Sequence, residues 1–212
     1  MSAASRESDG PAEGGERTRL EILEASMRLF QHFGFGKTTM ADIARETDMS
    51  PGNLYRYYRN KQAIGRAVTE RYFRMTEAQM ATGLMLPGGS PAERIRELIK
   101  NGVGHLLTEM DRNPRLVELA EFICADPEGF ASLQEHIAWK EKALTREIGR
   151  GIEVGQFRKV DPVQAGRVLV AATRAYWMPM ALVHIRREED GRPALLDEVI
   201  DLMLAGLMRP DA

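Results

Sequence analysis

With 212 residues, 43% of them hydrophobic, the chain can bury one large core, or a small core and a medium one. Its net charge of −2 names no partner by itself, and its single cysteine, Cys124, excludes an internal disulfide and suits a reducing compartment. No segment resembles a signal peptide, and the most apolar stretch, Ala175 to Val183, falls far short of the ~20 residues of a membrane span, so a soluble cytoplasmic protein is expected.

The charge is unevenly spread. Residues 16–74 carry 11 Lys and Arg against 7 Asp and Glu, whereas residues 75–212 carry 17 against 21. A basic module on an acidic body fits contact with phosphate at one end of the molecule.

Residues 1–15 are Ser, Ala, Gly, Glu and Arg without an apolar cluster, and are expected to be a disordered tail. A helix follows from Arg17 to Phe33, with Leu23, Met27, Phe30 and Phe33 on one face and Gly34 as its C-terminal cap. Thr39 caps a second helix, with Asp42 three residues on as an acidic capping box. Ile43 and Ala44 give that helix a small apolar face. Thr47-Asp48-Met49 forms a turn. Ser50 then caps a third helix, with Pro51 at its first position, where the missing N–H costs nothing. Asn60 caps a fourth helix that starts at Lys61 and runs past Met80. Helix, tight turn and short second helix make a helix-turn-helix, whose second helix enters the DNA major groove.

Gly34-Phe35, Thr38-Thr39, Ile43-Ala44, Ser50, Gly52, Leu54-Tyr55, Tyr57-Tyr58 and Lys61 resemble the DNA-binding module of the TetR family of one-component regulators. The likeness runs from about Ile22 to about Phe73, about a quarter of the chain, without gaps. Asp48 stands where the family usually has Gly. The position needs a left-handed backbone, which Asp tolerates better than most residues.

Leu86-Pro-Gly-Gly-Ser90 interrupts the chain. Ser90-Pro91 opens a helix with the stripe Ile95, Leu98, Ile99, Val103, Leu106 and Met110. Asn113-Pro114 precedes a short helix over residues 115–125. Asp126-Pro127 opens a long one carrying Phe130, Leu133, Ile137, Leu144, Ile148 and Ile152. After a loop, Asp161-Pro162 opens a helix expected to reach Ile185, kinked at Pro179. A last helix holds Leu195, Leu196, Val199, Met203 and Leu207. The passage from Gly151 to Pro162 also resembles the regulatory domains of the TetR family. The expectation is an all-α fold of about nine helices. It has a helix-turn-helix domain over residues 16–73 and a ligand-binding and dimerisation domain over 74–212.

Phosphate contacts set register on DNA, and base-edge contacts set sequence. At the start of the recognition helix, Ser50, Pro51, Gly52 and Asn53 let the backbone approach DNA closely, and Asn53 can pair with adenine. The Arg56 fork matches guanine O6 and N7, against a solvated role for an isolated arginine. Tyr55 and Tyr57 offer hydroxyls, and the resemblance makes Tyr57 a phosphate anchor. Lys61 at the start of helix four, Thr39 and Lys37 are further phosphate candidates.

The resemblance further implies a small-molecule pocket in the C-terminal domain and a homodimer formed by its last two helices. Met110, Phe122, His136, Trp139, Arg174, Tyr176, Trp177 and Met178 are the candidates to line the pocket, each weighed against an ordinary core role. Arg174, among apolar neighbours, needs an acidic partner or an anionic ligand. The seam of the dimer would be Ala165, Val168, Leu169 and Ala172 with Leu196, Val199, Met203 and Leu207. The implied partners are a pseudo-palindromic DNA operator and an apolar or weakly anionic effector, with no cofactor, metal or membrane. A pairing of His105 with Glu109 lacks a third ligand, and no catalytic motif is present, so no enzyme is expected. The reading is a repressor released by its effector. The alternative is a DNA-binding dimer whose C-terminal half only dimerises or docks another protein.

Overall fold

The computed structural model describes residues 11–188 and 195–209. It contains α1 (Pro11–Phe33), α2 (Met40–Glu46), α3 (Pro51–Tyr57), α4 (Lys61–Leu84), α5 (Pro91–Arg112) and α6 (Leu116–Ala125). These are followed by α7 (Pro127–Glu153), α8 (Pro162–Ala172), a 3-10 turn (Arg174–Trp177), α9 (Pro179–Glu188) and α10 (Leu195–Leu207). Among the described residues the fold is all-α, with an isolated bridge between Phe157 and Met208 and no strand. No described helix is long and apolar enough to cross a membrane.

The chain divides into two compact units between Val68 and Thr69, within α4. Unit 1 is built on Ile22, Leu29, Phe30, Ile43, Leu54 and Ile64, all buried. Phe30 meets Phe35 edge to face at 5.1 Å. Two expectations are corrected here. α1 begins at Pro11, so residues 11–15 belong to a helix and not to the tail, while residues 1–10 lie outside the described residues. Gly14 and Gly15 cost that turn about 1 kcal/mol each. Against this, Thr18 Oγ1 donates to the Gly14 carbonyl and Arg17 pairs with Glu21 one turn on. Phe33 is 48% exposed, because the inward face is completed by Ile22, Leu29 and Phe30 instead.

Unit 2 packs the second half of α4 with α5 to α10. The α5 stripe from Ile95 to Met110 is buried as expected. Ser90 and Glu93 form a capping box at its start. Gly102 sits inside α5 because a Cβ there would collide with the Trp177 ring and with Met80. The Phe130 expectation fails: it is exposed, and the buried face of α7 carries His136, Lys140, Ala143, Leu144, Glu147 and Ile148. Cys124 is half-buried.

The helix expected over residues 161–185 is two helices. α8 stops at Ala172, where Thr173 Oγ1 turns back to the Leu169 carbonyl at 2.8 Å. Pro179 then forces Met178 into extended backbone (φ −109°, ψ 118°) and begins α9 rather than kinking a continuous helix. The proposed dimer seam is also partly wrong. Leu169, Leu196 and Leu207 face unit 2's own core. Val163 and Val168 of α8 and Leu195 and Leu202 of α10 are the large apolar side chains turned outward, at 48%, 46%, 55% and 77% exposure.

Candidate nucleic-acid interface and interior polar cluster

The helix-turn-helix forms through local hydrogen bonds that its sequence specifies. Thr39 Oγ1 accepts from the Asp42 amide at 3.2 Å, and the Asp42 carboxylate accepts from the Thr39 amide at 3.0 Å. The Thr39 hydroxyl, which donates to the Asp42 carboxylate at 2.6 Å, and then the Thr39 amide hold the Asp42 carboxyl below its usual range. In the turn, Asp48 takes the left-handed conformation, φ 53°, and Met49 N donates to the Ala44 carbonyl at 2.8 Å. Ser50 Oγ accepts from the Asn53 amide at 3.2 Å, with Pro51 at the first position of α3. Asn60 Oδ1 accepts from the Ala63 amide at 2.8 Å and caps α4.

Leu54, fully buried, fixes the inner face of α3. Pro51, Gly52, Tyr55 and Arg56 are therefore exposed together on its outer face, with Ser50 just before them. Asn53 and Tyr57 are half-buried at its edges. A Cβ placed on Gly52 would meet nothing within 4 Å, so this face is open backbone. Lys37 and Thr39 are exposed, and the Thr39 hydroxyl is engaged in its cap.

Two cations that sequence reasoning treated differently act as clamps. Lys61 Nζ donates to the carbonyls of Phe35 and Gly36 at 2.7 and 3.0 Å, so much of its donor capacity is spent within the unit. Arg19, absent from the candidates, donates to the Tyr57 carbonyl at 3.0 Å and lies 5.5 Å from the Tyr58 ring centroid. Its signal in the sequence is faint, since an arginine on the first helix looks like a solvated one.

In unit 2 the pocket candidates separate. Met110 lines a cavity of about 240 Å³ with Asn113, Pro114, Leu116, Val117, Val183 and Arg186, and none of the other seven candidates lies on its wall. Arg174, expected to be buried, is exposed, because the 3-10 turn rotates it away from Tyr176. Tyr176 is buried; Phe122, Trp139, Trp177 and Met178 are half-buried. His136 and Trp177 come together around a residue the candidates missed. Lys140 is 4% exposed, and its ammonium lies 4.2 Å from the Trp177 ring centroid. Trp177 Nε1 donates to Thr173 Oγ1 at 2.8 Å. His136 Nδ1 lies 2.8 Å from Glu77 Oε1, with the imidazole stacked on Phe73 at 4.5 Å.

Burial dominates the electrostatics of this cluster. It pushes His136 down to about 3, with help from the Lys140 charge, so the imidazole is neutral at pH 7 and its Nδ1–H donates to Glu77. It pushes Lys140 down to about 7, against the pull of Glu77. Burial also raises Glu77, opposed by Lys140 and Arg74. Lys140 continues the α7 stripe of Leu133, Ile137 and Leu144 at helical spacing, and that register was the available signal. His105 does not pair with Glu109: it stacks on Tyr72 at 5.6 Å, and Glu109 holds Arg112 at 3.0 Å. Among the described residues no three His, Cys, Asp or Glu gather as metal ligands.

Residues 22–68 match the family model of bacterial regulatory proteins, tetR family, and residues 91–194 match the tetracyclin repressor-like C-terminal domain, together about seven tenths of the chain. The chain belongs to the TetR family. The HTH-type transcriptional repressor KstR of Mycolicibacterium smegmatis is 30% identical over 122 residues, which is 57% of this chain and 57% of that protein. KstR of Mycobacterium tuberculosis is 27% identical over 71% of this chain and 65% of its own length. The TetR-family chain thus spans under two thirds of each of these relatives. A transcriptional regulator from Cytophaga hutchinsonii shares the fold, with a TM-score of 0.71 at 18% identity, covering 89% of this chain and 97% of that one. The family is one of regulatory proteins, not enzymes.

Proposed function

We propose that the chain is a sequence-specific transcriptional repressor that leaves its operator when a small molecule binds unit 2. The observation that carries the reading is the outer face of α3. Leu54 locks the helix into unit 1 while Gly52, Tyr55 and Arg56 stand free on the opposite side. A helix held this way offers backbone at its N-terminus to phosphate and an arginine fork to a base edge. Lys37, Thr39, Ser50, Pro51, Asn53 and Tyr57 are proposed to complete the contact surface, while Lys61, spent on the Phe35 and Gly36 carbonyls, is left out of it.

Unit 2 is proposed to dimerise and to take the effector. Val168, Leu195 and Leu202 are large apolar side chains left in solvent, which a second subunit would cover. Two-fold symmetry would set the two recognition helices about 34–36 Å apart on a pseudo-palindromic operator. An effector would shift their spacing with a coupling free energy of about 1–3 kcal/mol. The protein would act in the cytoplasm.

Selection of bound sites from random duplex DNA, followed by footprinting and sedimentation, tests the first part. A pseudo-palindrome bound by a dimer is the expected result, and a monomer without sequence preference defeats it. Operator release by a compound library tests the second. Binding without release would leave a DNA-binding dimer lacking an effector switch.

A further inference from the structure

The interior of unit 2 holds a cation that nothing inside it fully neutralises. The close partner of Lys140 among the described residues is the face of Trp177. Glu77 attracts it through charge but is engaged by the His136 imidazole, and 23% of the Glu77 side chain is exposed to screening water. On α5, the buried His105 Nε2 has no hydrogen-bond partner among the described residues. His105 shares a face of α5 with Gly102 at i, i+3 spacing, and that face meets Trp177 at Gly102. A buried ammonium whose anion is shared with an imidazole and part-screened by water is costly, as is a buried imidazole nitrogen without a partner, unless something else enters.

We infer that Lys140 anchors the carboxylate of an otherwise apolar ligand in the interior of unit 2, lined by α4, α5 and α7. The inference rests on the reading that unit 2 takes a small molecule, and it names the class. A single lysine is a point charge without the planar fork that favours phosphate, so a monoanion fits better than a dianion. Phe73, Tyr72 and Trp177 are half-buried rings in the same interior, each with one face turned to His136, His105 or Lys140, and the body of the ligand would pack on the ring surface these contacts leave. His105 Nε2 is placed to give or take one more hydrogen bond.

The titratable groups of the surrounding elements are Tyr72, Arg74 and Glu77 on α4, His105 and Glu109 on α5, and His136 on α7 itself. Burial keeps His136 and Tyr72 neutral across pH 6.5 to 8.5, while Lys140 loses its proton around 7. A carboxylate therefore binds with uptake of a proton above that point, and its affinity falls as pH rises.

The test uses the full chain and a panel of fatty acids from octanoate to tetradecanoate together with arylacetates, each set against its primary amide. Calorimetric titration at pH 6.5 should find acids bound about tenfold or more tighter than their amides. The preference should shrink toward pH 8.5. Lys140→Met should bind acid and amide alike at both pH values, which separates Lys140 from His105 and Glu77. Amides bound as tightly as acids, an acid preference that survives in Lys140→Met, or a panel without a binding acid overturns the inference. If Lys140→Met does not fold, a pH-independent acid preference in the unaltered protein does so. Operator release is read in parallel. Acids that bind through Lys140 without release defeat the proposed switch and leave the anchor, whereas release by neutral compounds alone does the reverse.

Discussion

Lys61 and Phe35 are joined twice: the ammonium donates to the Phe35 carbonyl at 2.7 Å and lies 4.8 Å from the centre of its ring. With the further bond to Gly36, this ties the start of α4 to the loop between α1 and α2. Lys61→Met should therefore lower the stability of unit 1 by about 1–2 kcal/mol, through lost charged hydrogen bonds and cation–π attraction. A phosphate contact would instead reduce the salt slope of DNA binding by about one. The expectation is a lower melting temperature with an unchanged slope, checked by urea melts and by binding titrations across salt. A flattened slope in a protein of unchanged stability would return Lys61 to the phosphate contacts.

Gly52 offers the cleanest separation of fold from DNA contact. It is exposed in α3 and a Cβ there would touch no protein atom within 4 Å. Gly52→Ala should leave the fold intact and raise helix stability by up to about 1 kcal/mol. On DNA the added methyl would stand where backbone is proposed to approach phosphate. Operator affinity should fall at least about tenfold while the melting temperature holds or rises. Equal affinity for the two proteins would show that the backbone at Gly52 stays clear of the duplex.

Arg56 is proposed to read a base. Arg56→Ala should cost about 1–3 kcal/mol at the selected operator and relax preference at one position of each half-site. Repeating the site selection with the variant measures both. A uniform loss across all sequences would instead make Arg56 a phosphate contact.

Much of unit 1 was legible because its determinants are local. Thr39 with Asp42, Ser50 with Pro51, and Asn60 each cap the helix that follows them, and Asp48 takes the left-handed turn its position requires. Each of these is decided within four residues, which a sequence displays. Arg19 and Lys61 were misjudged because their partners, Tyr57 and Phe35, lie 38 and 26 residues away. In unit 2 the stripe of α5 was legible by periodicity, while the break at Thr173 was not. There the chain leaves the helix at Thr173 and enters a 3-10 turn, six residues before the proline that appeared to govern it. Lys140 escaped for a simpler reason: lysine is rarely buried, so composition argued against what the register of α7 indicated.

The buried Lys140 should also appear in the stability of the protein without any ligand. Its folded value is pushed down to about 7, against 10.5 in the unfolded chain. Between those values the unfolded chain holds a proton that the folded protein has released, so stability rises with pH from about 7 upward. The slope cannot exceed about 1.4 kcal/mol per pH unit for one group. His136 adds only a fading contribution near pH 7, because the unfolded imidazole, with its ordinary value of 6.5, has largely lost its proton by the start of this window, as the folded one has far below it. Tyr72, raised by burial, acts in the opposite direction only above its ordinary value of 10. Urea unfolding at intervals from pH 7 to pH 9.5 should show a steady gain for the unaltered protein. Lys140→Met should remove most of that gain and be at least as stable at pH 7, since it exchanges a poorly neutralised buried cation for an apolar chain of similar length. Equal pH profiles for the two proteins would mean that Lys140 keeps its proton in the folded state, compensated by an anion closer than Glu77.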